Sequence, residues 1–134
     1  MSSPGSSNDE ADRSDIRLQD YLDHMREAAR LACSYVEGQT RDAFLADKRT
    51  QQAVILNLIV LGEAATKIAQ ASPAYVAAHP AVPWKSLRGM RNRIAHGYFS
   101  VDLAIVWDTV ETALSALLEQ LDEMRAALPG SSDR

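Results

Sequence analysis

Five side chains within twelve residues, Lys85, Arg88, Arg91, Asn92 and His96, form the part of the chain best suited to chemistry on a phosphate. No acidic residue lies between Glu63 and Asp102. That stretch holds Lys67, Lys85, Arg88, Arg91 and Arg93, a local charge of +5 on a chain whose net charge is −4. Screening confines the relevant field to about 8–10 Å, so a basic patch can bind phosphate on a protein that is acidic overall. Arginine grips a phosphate with two parallel N–H donors and stabilises charge that develops on it. Histidine is the natural proton carrier near neutral pH. Together they suffice for cleavage of RNA with no metal and no cofactor. The ribose 2′-OH attacks the adjacent phosphate, a histidine moves the proton and an arginine stabilises the pentacoordinate centre. DNA lacks that nucleophile.

Placing residues 84–96 on a helix at about 100° per residue sorts these side chains into faces. Lys85, Arg88, Asn92 and His96 make one polar stripe, and Leu87, Met90 and Ile94 make an apolar one. Arg91 falls beside the apolar stripe, about 140° from His96. A guanidinium near a core face is costly unless paired. Two outcomes are open for Arg91. It snorkels or pairs with an acid on a neighbouring helix such as Glu63, or it lines a cleft and binds an anion. His96 likewise is either a favourable partner of its helix dipole or a phosphate ligand. On one helix Arg91 and His96 meet at a common phosphate only if the helix ends near His96 or a second copy of the chain contributes. A symmetric dimer would place two such segments across one cleft.

The elements that must carry this segment read as helices throughout. Leu18, Leu22, Met25, Ala29, Ala32 and Val36 recur at spacings of three and four, with Ser14 or Asp15 as the N-cap and Gly38 as the stop. Thr40 caps a short segment from Arg41 to Ala46, and Asp47 caps a helix running to about Ala71. The centre of that helix, Val54 to Leu61, is apolar nearly all round. It therefore calls for burial on several sides, inside a bundle or against a second copy. Pro73 restarts the chain, and Pro80 and Pro83 break it again. Asp102 starts a last helix whose apolar stripe reads Leu103, Val106, Val110, Ala113, Leu117, Leu121, Met124 and Leu128. No stretch alternates with period two. The expected fold is all-α, an antiparallel bundle of four to five helices over residues 14–128. Residues 1–13, without leucine, valine or aromatic, read as a disordered tail, and residues 129–134 read the same way.

At 134 residues and 46% hydrophobic composition the chain is long and apolar enough for one core without staples, which excludes a disordered chain. Cys33 is the one cysteine, so neither an internal disulfide nor a cysteine-based zinc framework is available. With no secretory signal at the start, the expectation is a cytoplasmic protein. The apolar run from Ala53 to Gly62, interrupted by Asn57, falls well short of the roughly 18–20 residues a membrane span needs. No glycine-rich phosphate loop occurs, and Asp20 and His24 read as a solvated helix face rather than as metal ligands.

Arg91-Asn92-Arg93-Ile94-Ala95-His96 resembles the R-x4-H signature of the HEPN ribonucleases, and His96-Gly97-Tyr98 extends it to R-x4-H-x-Y. The longer form is similar to that of the HepT toxins, which pair with a MntA-like nucleotidyltransferase antitoxin. Leu61-Gly62-Glu63-Ala64-Ala65, Pro83-Trp84-Lys85, Arg88-Gly89-Met90 and Val106-Trp107 carry the resemblance over about residues 15–127. It implies a HEPN-like, all-helical homodimer that cleaves RNA in a cleft at the dimer interface. Arg91 and His96 would be its catalytic pair, and Asn92 and Tyr98 would support them. Lys85, Arg88 and Arg93 would bind RNA phosphate. It also implies that the antitoxin transfers AMP to Tyr98 and so silences the nuclease. The rival reading is a non-catalytic subunit of a nucleotidyltransferase pair that holds a nucleotide or substrate in the same basic cleft.

Overall fold

In a computed structural model, residues 5–129 are described in backbone and residues 17–129 in side chain as well. Helix α1 spans Gly5–Val36. It ends at Gly38, whose φ of 80° is the left-handed conformation that glycine adopts without strain. Thr40 caps α2, Arg41–Leu45, by accepting from the Ala43 N–H at 3.1 Å. Asp47 caps α3, Lys48–Ala71, by accepting from the Thr50 N–H at 3.2 Å. Bonds from the Thr50 hydroxyl and backbone hold the Asp47 carboxyl below its ordinary range. Helix α4 is the single turn Pro73–Ala78, and α5 is Trp84–His96. A 3₁₀ turn at Tyr98–Ser100 leads to Asp102, which accepts from the Ala104 and Ile105 N–H groups to start α6, Leu103–Thr109. One π turn, Val110–Leu114, joins α6 to α7, Ser115–Ala126. No strand occurs among the described residues.

Four long rods therefore make the fold among the described residues: α1, α3, α5 and the α6–α7 rod, with α2 and α4 as short connectors. Helix α1 packs on α3 and α7, and α5 packs on α3. The pairing of α1 with α7 runs antiparallel. Gln19 donates to the Pro129 carbonyl, Asp23 meets Arg125 at 2.9 Å, and Arg26 meets Asp122 at 2.8 Å, so α7 recedes as α1 advances. The core stripe read on α1, from Leu18 to Val36, is buried at every position. Phe44 of α2 is fully buried and tilts against Trp107 of α6 with ring centroids 5.4 Å apart.

Three expectations need correction. Helix α1 begins at Gly5, so it takes in residues 5–13 and runs through Ser14 and Asp15 instead of being capped by them. Glu10, Ala11 and Arg13 are ordinary helix formers, and extending an existing helix fixes one residue per hydrogen bond. Pro129 is tied to α1 through Gln19, leaving only residues 1–4 and 130–134 of the expected tails, which lie outside the described residues. In the last rod Leu114 is buried where Ala113 was expected, and Ala113 is exposed. The π turn widens the helical repeat by one residue there, so Leu114 takes the inward position, while Leu117, Leu121 and Met124 beyond it are buried as expected.

Helix α3 sits at the centre. Val54, Ile55, Leu58 and Leu61 are buried, yet Leu56 is 60% exposed and Val60 37%. By length and composition α3 is apolar enough to cross a membrane, but half of its most apolar window is buried inside this chain. A single protomer thus covers two faces of α3 and leaves Leu56 and Val60, one turn apart, uncovered.

The contact that positions α5 is made at Gly62. A methyl group there would press into Cβ of Arg91 and lie 2.7 Å from the Leu87 carbonyl oxygen. The backbones of α3 and α5 approach this closely only because position 62 carries no side chain. Glycine to alanine ordinarily stabilises a helix by up to about 1 kcal/mol. Here it meets a backbone carbonyl that no rotamer change can move, and overpacking of that kind costs about 1–3 kcal/mol. Gly62→Ala is expected to lower the thermal midpoint by several degrees. Gly89→Ala, whose new methyl meets only the flexible end of Arg93 at 3.4 Å, is expected to raise it slightly. Thermal melts of both variants check this, and shifts of the same sign would contradict it.

Candidate active site

Helix α5 is held by its apolar face. Trp84, Leu87 and Ile94 are buried, and the Trp84 indole N–H donates to the His79 carbonyl at 2.9 Å. Its amino end follows Pro83, whose carbonyl accepts from the Leu87 N–H at 3.0 Å. At its carboxyl end the Gly97 N–H bonds to the Arg93 carbonyl at 3.0 Å, and Ser100 N–H closes the 3₁₀ turn on the Gly97 carbonyl at 2.8 Å. Burial of one stripe fixes the rotation of the helix. Lys85, Arg88, Asn92 and His96 are exposed as a consequence, on the polar stripe the spacing predicts.

Arg91 lies at the edge of the buried face, half-buried, and of the outcomes open to it the structure shows the pair with Glu63 of α3. Its Nε and Nη2 donate to the same carboxylate oxygen, Oε1, at 2.9 and 2.6 Å. Its Nη1 donates to Oδ1 of Asn92 at 2.6 Å. A guanidinium has five N–H donors, and these bonds use three of them. One on Nη1 and one on Nη2 remain without a partner among the described residues. Two donors on adjacent terminal nitrogens form the fork that matches two phosphate oxygens.

His96 is exposed as the last residue of α5, in the turn where a helix presents unpaired carbonyls. No hydrogen bond joins His96 to Arg91 among the described residues, and the helix keeps them on different faces. Tyr98 is 43% exposed, two residues beyond His96, and stands edge-on to Phe99 with centroids 5.6 Å apart. Phe99 is entirely exposed. Arg93 points elsewhere. It borders a largely apolar groove of about 290 Å³ between α5 and α6, with Leu58, Met90, Ile94, Gly97 and Ile105 among the lining residues. The structure thus brings Arg91, Asn92 and Glu63 together. It leaves Lys85, Arg88 and His96 on the exposed stripe, and sets Arg93 and Tyr98 at the carboxyl end of α5.

Sequence reasoning passed over the groove and the closeness of α3 to α5. A groove is made by residues far apart in the chain, so no spacing signals it. The close approach has a local signal, Gly62 inside a helical run with no turn to require it.

The family described as ribonuclease HepT-like matches residues 25–124, which takes in every side chain named in this site. The chain is 34% identical over 107 residues to a protein of Thermococcus cleftensis named as a probable ribonuclease HepT, covering 80% of this chain and 94% of that one. It is 30% identical over 123 residues to a protein of Methanocaldococcus jannaschii named as a candidate RNase, covering 90% and 96%. A similarly named protein of Caldanaerobacter subterraneus is 29% identical over 104 residues, covering 78% and 90%. No solved structure matches the chain.

Proposed function

The chain belongs to the HepT-like ribonuclease family, and from that premise we propose that it is the toxin of a toxin–antitoxin pair, an RNA endonuclease working through Arg91 and His96 in the cytoplasm. The observation that carries this reading is the terminal fork of Arg91, held in place on an acid-free helix that ends at an exposed histidine. The fork takes two oxygens of the scissile phosphate. His96 accepts the proton of the ribose 2′-OH as that oxygen bonds to phosphorus. The P–O5′ bond breaks to leave a 2′,3′-cyclic phosphate, and the leaving oxygen takes up a proton from water, so the step needs no metal. Asn92 supports Arg91 through Nη1. Lys85, Arg88 and Arg93 bind flanking phosphates, each contributing to a salt-dependent grip on the strand.

Arg91 and His96 diverge on one protomer, and a second protomer resolves this. The uncovered Leu56 and Val60 of α3, with Ile105 and Phe99 also exposed, supply the kind of apolar surface that a homodimer buries. In such a dimer His96 of one protomer reaches the phosphate held by Arg91 of its partner. Regulation falls to Tyr98. Its phenol is accessible beside His96, and a MntA-like nucleotidyltransferase antitoxin transfers AMP to it. The added phosphodiester places a negative charge where the RNA phosphate must sit. The alternative is a non-catalytic subunit that holds a nucleotide for a nucleotidyltransferase. It is favoured by nothing beyond the same basic stripe, and it predicts RNA or nucleotide binding without cleavage.

Arg91→Ala and His96→Ala are each expected to lower RNA cleavage by at least about 10²-fold while retaining the helical circular-dichroism spectrum. Wild-type cleavage is expected to persist in EDTA, and loss on chelation would refute the mechanism. Sedimentation is expected to show a dimer at micromolar concentration that Leu56→Asp splits, and a wild-type monomer would contradict the shared site. Intact mass after co-expression with a MntA-like nucleotidyltransferase is expected to show an added AMP on the wild-type chain and none on Tyr98→Phe. The same modified mass on both would move the acceptor elsewhere.

A further inference from the structure

Glu63 is an odd neighbour for a phosphate ligand. It is the acid that precedes the acid-free stretch, and its carboxylate lies against the one guanidinium of α5 that is partly sheltered from water. A negative charge 2.6 Å from Arg91 Nη2 offsets the attraction of that arginine for an anion. If attraction alone mattered, Arg91 would serve better without it.

The geometry of the contact gives Glu63 a different use. Both bonds go to one oxygen, and both come from the edge of the guanidinium formed by Nε and Nη2. Nη1 and Nη2, which form the terminal edge, each keep one unclaimed donor among the described residues. The bond to Asn92 Oδ1 claims one of the two donors on Nη1. Arg91 can lie this way because Gly62, the residue before Glu63, lets the Arg91 Cβ come down onto α3. An arginine side chain otherwise has four rotatable bonds whose freedom is lost when it binds.

We infer that Glu63 is a positioning residue for Arg91: its single-oxygen grip on the inner edge of the guanidinium turns the outer edge, with one donor on each terminal nitrogen, toward the RNA phosphate. The inference rests on the reading of Arg91 as the phosphate ligand. Glu63 itself touches no substrate. It exchanges some electrostatic attraction for a fork that is set before RNA arrives, which lowers the barrier to the chemical step more than it tightens binding.

Two substitutions separate this role from a purely structural one. Glu63→Gln keeps an acceptor oxygen for Nε and Nη2 and removes the charge. Glu63→Ala removes both. Steady-state cleavage of a defined RNA oligonucleotide by the full-length chain, scaled to the folded fraction, is the first readout. Glu63→Gln is expected to keep kcat within about threefold of wild type and to lower KM, because the patch loses a negative charge. Glu63→Ala is expected to lose kcat by about 10- to 100-fold, the scale of a misplaced reacting group, with KM no higher than wild type. A kcat for Glu63→Ala equal to wild type, or one for Glu63→Gln as low as that for Glu63→Ala, overturns the inference. The second readout needs no activity. Solvent exchange of the Arg91 Nε–H by nuclear magnetic resonance is expected to be slow in wild type and Glu63→Gln and fast in Glu63→Ala. Equal exchange in all three overturns the grip. A wild-type chain that cleaves no RNA yet shows the expected exchange pattern refutes the ribonuclease reading and, with it, the role in catalysis, while leaving the grip itself standing.

Discussion

The structure turns on the distance between α3 and α5 at Gly62. With no side chain at that position, the backbone of α5 comes close enough for Arg91 to lie across α3 and reach Glu63. Everything chemical about α5 follows from how it sits there. Trp84, Leu87 and Ile94 are buried as it docks, so Lys85, Arg88, Asn92 and His96 must face outward. A helix offers no independent control over its faces. Fixing the apolar stripe fixes the polar one, and an arginine at the boundary between them is the side chain best placed to feel both the core and the solvent.

Charge is partitioned in the same way. The acids that make tertiary contacts outside this site sit in the seam between α1 and α7, where Asp23 and Asp122 hold Arg125 and Arg26. The Arg26–Asp122 pair is exposed and contributes little to stability, the Asp23–Arg125 pair is partly buried, and both hold acidic side chains far along the chain from α5. Among the described residues Glu63, through Arg91, is the one carboxylate bonded to α5, and none is bonded to the basic stripe of Lys85, Arg88 and His96. An acidic protein can in this way present a phosphate-binding face, since the field that matters at 8–10 Å is that of the stripe and not of the whole chain.

Much of this was legible in the residues. The all-helical class, the bounds of α5 and the caps Thr40, Asp47 and Asp102 all came from local signals, because a cap is a contact between neighbours in sequence. The position of Arg91 beside the apolar stripe followed from periodicity, and Glu63 was named as one of its possible partners. What local signals could not supply was the choice between partner and anion, which depends on how near two helices come. The π turn at Val110–Leu114 was hidden for a similar reason. Nothing in Val110-Glu111-Thr112-Ala113-Leu114 forbids a regular helix, and only packing against the neighbouring rods decides that Leu114 turns inward. The first turns of α1 were missed because composition reports the lack of a core and not the reach of a helix already begun.

A single atom of the substrate bears most directly on the account. If the ribose 2′-OH is the nucleophile, then an RNA oligonucleotide that carries one 2′-deoxy residue on the 5′ side of its scissile phosphate should bind the protein like the all-ribose strand. Cleavage at that phosphate should fall below detection while other sites on the strand remain sensitive. Cleavage of the deoxy-substituted position at the all-ribose rate would contradict the account, since Arg91 binds the phosphate and His96 moves the proton while the attacking oxygen is the 2′-OH.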